Sequence, residues 1–351
     1  MRASLGFSLA DPGKRVFETP GRQVTLLGTW EKDLPRAERW MAGSPREAAR
    51  SLAPCEIDGA LVIVDRDAGG NVAELAAYRG PASGVEIFLA KAENGLFLSD
   101  SFREAAAFLP PGERVPSGEA FLDFLLFQHA FGPRSPVLGI RRLGHGELLE
   151  AEGPGDASVS LLFRLEVPEP PAGFGESLDE IERLLAGFLE RVPGGTANLF
   201  SGGVDSTLLQ VLLGTGHPAV TAVPDSPEFA FETVAARRSA SLCGGVLEEI
   251  PVEEGRYREI LRAETAAGGM PLPLLQIPVL AAAMDFAAPG FTAGFAADSL
   301  FSLPRGKRQA VRGGENPELF QPETFSVSSE KGLLEDLFGK EAVVARIRER
   351  D

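Results

Sequence analysis

The sequence predicts an α/β protein of two domains, an α+β domain followed by a doubly wound parallel sheet. Three observations carry the prediction. Residues 196–213 read as strand, glycine loop and helix: Ala197, Leu199 and Phe200 lead into Ser201-Gly202-Gly203, and Leu208, Leu209, Val211 and Leu212 continue at helical spacing until Gly214 and Gly216 stop them. Residues 219–223 then repeat the strand pattern and 232–244 the helix pattern, an alternation that builds parallel strands with crossover helices. The stretch 167–175, with Pro168, Pro170, Pro171, Gly173 and Gly175, is too stiff and too poor in donors for a sheet interior and marks the domain boundary.

Taken in order, residues 24–27, 59–64, 85–90 and 95–98 are short apolar or alternating runs bounded by turn residues, which read as strands of an antiparallel sheet. Residues 47–52 and 121–127 read as helices. After the breaker, Ser177 and Glu180 have the spacing of a capping box, and Leu178, Ile181, Leu184, Leu185, Phe188 and Val192 mark one apolar helix face. That helix feeds the strand before the glycine loop. A last helix spans about 341–348.

A chain of 351 residues can bury two separate cores. With 44% hydrophobic and 24% charged residues, its composition is that of a globular protein. It has no run of about eighteen apolar residues and no apolar signal segment after Met1, so no membrane partner and a cytoplasmic location are expected. The net charge of −16 argues against nonspecific nucleic-acid binding, which needs a basic face to displace counterions. Cys55 and Cys243 lie far apart with no second ligand pair, so neither a disulfide framework nor a zinc site is indicated. His129, His145 and His217 are scattered among loops and helix ends and read as surface or structural groups.

The glycine loop is where chemistry is concentrated. Adjacent glycines flanked by hydroxyls let successive N–H groups close around an anion at a helix N-terminus, where the helix dipole is positive. Asp205 sits in the same loop, and a carboxylate there calls for a hard cation such as Mg²⁺ between it and phosphate oxygens. The glycine spacing and the missing Lys-Ser/Thr pair exclude a Walker loop. In a doubly wound sheet ligands lie beyond the carboxyl ends of the strands, so Val223, ending the second strand, is expected to border the base of a nucleotide held by the loop.

Ser201-Gly202-Gly203-Val204-Asp205-Ser206 resembles the pyrophosphate loop of the N-type ATP pyrophosphatases, which cleave ATP between its α and β phosphates. Residues 65–69, 97–101, 121–127 and 139–146 are similar, in order and spacing, to landmarks of the glutaminase domain of asparagine synthetase B. Residues 291–301 resemble that family's Ser-Gly-Glu-Gly-Ala-Asp-Glu-Leu-Phe segment. The resemblance implies an Ntn-hydrolase-like α+β domain over 1–166 and an ATP pyrophosphatase domain over 177–351. It implies ATP and Mg²⁺ as cofactors, with Ser201, Gly202, Gly203, Asp205, Ser206 and Thr207 holding pyrophosphate, Gly294 also at the nucleotide, and Asp205 with Asp298 on the metal. Lys307, in the basic island 305–308, would meet the developing charge.

The departures matter as much. Arg2 stands where family glutaminases expose a cysteine nucleophile, so no glutaminase activity is expected, as in the β-lactam synthetases. Phe295 and Ser299 replace two glutamates of the second motif. Family members also continue further at the C-terminus with helices that wall the acceptor site, so the resemblance implies that this wall is either absent or supplied by another subunit, a homodimer mate or a partner. The implied reaction is ATP-dependent amide formation between a small-molecule carboxylate and an amine or ammonia. A nucleotide-binding regulator without turnover, and an enzyme adenylating another oxygen such as a tRNA base, remain open alternatives.

Overall fold

The structure is a computed structural model, which describes residues 4–8, 14–29, 40–50, 58–93, 95–127, 129–130, 132–153, 155–164, 173–226, 230–269, 276–294 and 331–350. In chain order its elements are β1 (Ser4–Ser8), β2 (Arg15–Thr19), β3 (Arg22–Thr29), α1 (Pro45–Arg50), β4 (Asp58–Arg66), β5 (Val72–Arg79), β6 (Phe88–Ala92), β7 (Gly95–Ser99), α2 (Phe102–Phe108), α3 (Gly118–Phe127), β8 (Ile140–Arg142), β9 (Glu147–Glu152) and β10 (Asp156–Leu161). They continue as α4 (Phe174–Leu189), β11 (Ala197–Leu199), α5 (Val204–Leu213), β12 (Ala219–Pro224), α6 (Ala230–Cys243), β13 (Leu247–Val252), α7 (Glu254–Gly268), α8 (Ile277–Ala283), β14 (Phe291–Ala293), α9 (Lys331–Phe338) and α10 (Lys340–Arg350). The chain divides into two compact units, one of residues 1–167, 265–271 and 322–351, the other of 168–264 and 272–321.

The first unit holds two sheets, where the sequence led us to expect one antiparallel sheet. Four strands run β1-β7-β6-β8, with β1 parallel to β7, and six run β10-β9-β5-β4-β3-β2. The inner strands β3, β4, β5 and β9 of the larger sheet are largely buried and read as near-continuous apolar runs, whereas the edge strands β2 and β10 are not buried. Along β4, Ala60, Val62 and Val64 meet Ile87, Leu96 and Leu98 of the smaller sheet's side, whereas Leu61 and Ile63 face Ala48 and Ala49 of α1. On the outer face of the smaller sheet, Phe88 and Ala90 pack against Phe102 and Ala105 of α2. The layers are therefore helix, sheet, sheet, helix. Burial of Glu150 in β9 is made tolerable by Arg46 and Arg50 of α1, at 2.6 and 3.0 Å. The strand expected over 85–90 begins only at Phe88.

The second unit carries four parallel strands in the order β13-β12-β11-β14. Ala236 and Ala240 of α6 pack on one face against Ala219 and Phe200, and Ala283 of α8 packs on the other against Ala197 and Val220. Helices on both faces make the sheet doubly wound.

Three local expectations are corrected. The helix before β11 starts at Phe174 with Gly173 as its N-cap; Ser177 lies inside it, donating to the Gly173 carbonyl at 3.1 Å, and Glu180 accepts from Arg183. Its apolar stripe is not packed: Leu178, Leu184 and Phe188 are exposed. In α5 the apolar residues Val204, Leu208, Val211 and Leu212 face outward while Ser206 and Gln210 are buried.

Candidate functional site

The site is built where β11 hands over to α5. Gly202 has φ +74°, a conformation that favours glycine, and a Cβ there would lie 2.5 Å from the Ala235 carbonyl oxygen of α6. The carbonyl of Gly202 accepts the Ser239 hydroxyl at 2.9 Å, so α6 holds the loop from behind. Gly203 caps α5, its N–H donating to Ser201 Oγ at 3.3 Å. Ser201 Oγ and Ser206 Oγ lie 3.2 Å apart, and Ser206 also donates to the Gly203 carbonyl at 3.3 Å. The two serines thus close the ring of the loop, leaving the first turn of the helix open toward the sheet's carboxyl edge.

Gly294, at the end of β14, completes the constellation. A Cβ on it would stand 2.9 Å from Asp205 Cβ and 3.1 Å from the Ser206 nitrogen. Glycine is what allows these two segments, far apart in sequence, to touch.

Between them lies a cavity of about 210 Å³. Ser201, Gly203, Asp205 and Ser206 line its polar end, with Ala293 and Gly294 beside them; Val220, Thr221 and Ala222 of β12 and Val279, Leu280 and Ala283 of α8 form an apolar wall; Glu232 opens α6 at the rim. A polar cradle at a helix N-terminus beside an apolar slot suits a ligand with an anionic end and a flat apolar end.

Of the residues singled out from sequence, Ser201, Gly203, Asp205, Ser206 and Gly294 line this cavity. Gly202 shapes the loop from behind. Thr207 has a buried hydroxyl without a partner in the structure and does not line the cavity; Val223 follows the β12 residues that do. Asp298, Lys307, Phe295 and Ser299 lie outside the described residues, as do Arg2 and Cys55. Cys243 is only partly buried, at the end of α6. Sequence reasoning missed Ser239 and Glu232 as site residues; their signal was the spacing Glu232, Ala236, Ser239, Ala240 on one helix face.

A magnesium ion fits this donor set as a guest of a phosphate. Among the described residues no group of three or more His, Cys, Asp and Glu side chains gathers into a metal cluster, and Mg²⁺ is usually held by one or two carboxylates together with phosphate oxygens. Asp205 supplies one such carboxylate at the mouth of the cradle.

The histidines serve the fold. His217 Nδ1 lies 2.9 Å from the Thr196 carbonyl oxygen and His129 Nδ1 2.8 Å from that of Phe127. His145 stands in a tight turn whose Gly146 has φ +74° and touches the Phe163 carbonyl so closely that no Cβ would fit. Burial, then the Arg79 guanidinium, hold its imidazole below the usual value. The 65–69 landmark is a hairpin turn in which Asp67 Oδ1 accepts from the Gly69 and Asn71 N–H groups at 2.8 and 2.9 Å. No helix among the described residues is long and apolar enough to cross a membrane.

No family model and no curated protein matches the sequence. Among solved structures the chain is similar to the glutamine-dependent NAD⁺ synthetase from Acinetobacter baumannii in complex with adenosine diphosphate, at 12% identity over 91% of this chain and 75% of that chain, with a TM-score of 0.25.

Proposed function

We propose that the protein is an ATP-dependent, AMP-forming ligase of the asparagine synthetase type, without glutaminase activity. The observation that carries the proposal is the cavity shared by the Ser201–Ser206 loop, Asp205 and Gly294 at the carboxyl edge of a parallel sheet. Gly202, whose backbone only glycine readily adopts, shapes the cradle, and the apolar slot along β12 and α8 has the character an adenine ring requires.

In this reading Ser201, Gly203 and Ser206 hold the β,γ-phosphates with the N-terminal amides of α5. Asp205, with Asp298 as the resemblance implies, would hold Mg²⁺, which would supply neutralisation of phosphate charge. A carboxylate oxygen of the acyl substrate attacks the α-phosphorus of ATP as the bond to pyrophosphate breaks. The acyl-adenylate is then captured by an amine, whose nitrogen forms the amide as AMP leaves and a proton is released. Lys307 would face the charge developing in these steps. The protein's contribution is alignment and charge placement rather than covalent chemistry. The helix, sheet, sheet, helix layering of the first unit supports the Ntn-like reading of residues 1–166 as a scaffold.

Phe295 and Ser299, standing where the resembled family has glutamates, favour a second reading, a nucleotide-binding regulator without turnover. One experiment separates the two: pyrophosphate release from Mg-ATP across a panel of carboxylates and amines, alongside calorimetric ATP binding. Release that depends on a carboxylate and disappears in Asp205→Ala and Asp298→Ala is the expected result. ATP binding with no release on any combination favours the regulator, and absence of nucleotide binding sinks both.

A further inference from the structure

The buried face of α5 is polar, and the proposed phosphate cradle gives that a reason. Strand β11 presents Asn198, fully buried, between Ala197 and Leu199. Its Nδ2 donates to the Ser206 carbonyl at 3.0 Å and to Gln210 Oε1 at 3.1 Å. Both neighbours are acceptors, which fixes the amide's orientation. Gln210, 2% exposed, passes the connection on through Nε2 to the His217 carbonyl at 2.8 Å and the Gly214 carbonyl at 3.3 Å. His217 in turn returns to the Thr196 carbonyl beside β11.

This network carries a cost. Asn198 Oδ1 is buried with no partner, and an aliphatic side chain at 198 would avoid that desolvation. What the amide adds is a tie between the strand just before the loop and the residue that ends it. Ser206 offers Asn198 its backbone and offers Ser201 and Gly203 its hydroxyl. Asn198 therefore sets the distance between the two ends of the Ser201–Ser206 loop.

We propose that Asn198, backed by Gln210, is the positioning residue of the anion loop and governs affinity for the pyrophosphate portion of the nucleotide, an inference that rests on the nucleotide reading above. The base wall, formed by β12 and α8, has no part in the network, so phosphate and nucleoside affinities should separate.

The test is calorimetric binding of three probes in Mg²⁺, namely inorganic pyrophosphate, ATP and adenosine. They are measured on the unaltered full chain, on Asn198→Leu, and on the double variant Asn198→Leu with Gln210→Leu. The double variant removes the Gln210 acceptor that the single variant strands, at the expense of the donor to the His217 and Gly214 carbonyls, and adenosine binding reports whether the fold of each variant is kept. In both variants pyrophosphate and ATP are expected to bind about tenfold or more weakly, with adenosine within about twofold of the unaltered protein. Unchanged pyrophosphate binding, or an equal loss for adenosine, overturns the positioning role while leaving the nucleotide site intact as a reading. Failure of the unaltered protein to bind any of the three probes removes the nucleotide reading and this inference with it.

Discussion

At the scale of single residues, two glycines with similar φ angles have different jobs. Gly202 and Gly214 have φ +74° and +79°, but a Cβ on Gly202 would strike the Ala235 carbonyl, whereas nothing lies within 4 Å of one on Gly214. Gly202→Ala is expected to destabilise the second unit by about 1–3 kcal/mol and to weaken pyrophosphate binding at least about tenfold, because the loop must move to relieve the contact. Gly214→Ala should cost about 1–3 kcal/mol from backbone strain alone, because φ +79° with ψ −175° is a conformation essentially confined to glycine, and leave pyrophosphate affinity unchanged. Thermal unfolding with calorimetry on both variants checks the pair, and equal binding losses would refute the distinction. The loop glycines were visible in the sequence because small residues between a strand pattern and a helix pattern have few other uses. Asn198 and Ser239 were not visible, since a polar residue in a strand or helix acquires meaning only from what stands opposite.

At the scale of elements, α5 is the informative case. Its leucines and valines suggest an apolar packing face, yet Leu208 is 53% and Val211 60% exposed. Leu208→Glu and Val211→Lys should therefore change stability by no more than about 0.5 kcal/mol, as exposed substitutions do. A shift in the denaturation midpoint corresponding to several times that would mean the face is packed after all. The larger sheet of the first unit offers a second test. Glu74 on β5 sits opposite Asp65 on β4 and Glu152 on β9, and Arg22, bonded to Asp65 at 2.6 and 2.5 Å, together with Arg46 offsets that row. Burial, with smaller contributions from Asp65 and Glu152, raises the Glu74 carboxyl above its usual value, against a backbone bond from Arg46 and the charge of Arg22.

A raised folded value means the native state binds the proton more tightly than the unfolded chain does. Glu74's contribution is thus fully present below the ordinary glutamate value of about 4.5 and is lost as pH rises through the raised one. Glu74→Gln should be more stable than the unaltered protein at pH 7, with the advantage shrinking toward pH 4. Denaturant midpoints at several pH values would show it, and an advantage that grew on acidification would contradict the assignment.

At the scale of the whole molecule, the chain's two ends belong to one unit. Leu334 and Val343 of α9 and α10 pack against Leu122, Leu126 and Phe127 of α3. Arg346, 7% exposed, donates through Nε to Asp123 Oδ1 at 2.8 Å, and its Nη2 bonds the same oxygen. Removing Arg346 takes a charged partner at 2.8 Å from the buried Asp123 carboxylate. Arg346→Met is accordingly expected to destabilise the first unit by about 3–5 kcal/mol. Equilibrium unfolding of the variant tests it, and a stability within about 1 kcal/mol of the unaltered protein would show that the pair contributes little.

The sequence by itself determined the local grammar: the strand, glycine loop and helix at 196–213 and the βα alternation after it. These rest on backbone freedom and hydrophobic period, which are properties of neighbours along the chain. Only the tertiary structure decided that the N-terminal strands form two sheets, that α4 and α5 turn apolar residues outward, that Gly294 meets Asp205, and that α10 docks on α3. Periodicity records which residues prefer burial, but which face is buried depends on the partner opposite, and for α5 that partner is an asparagine whose two donors must be satisfied.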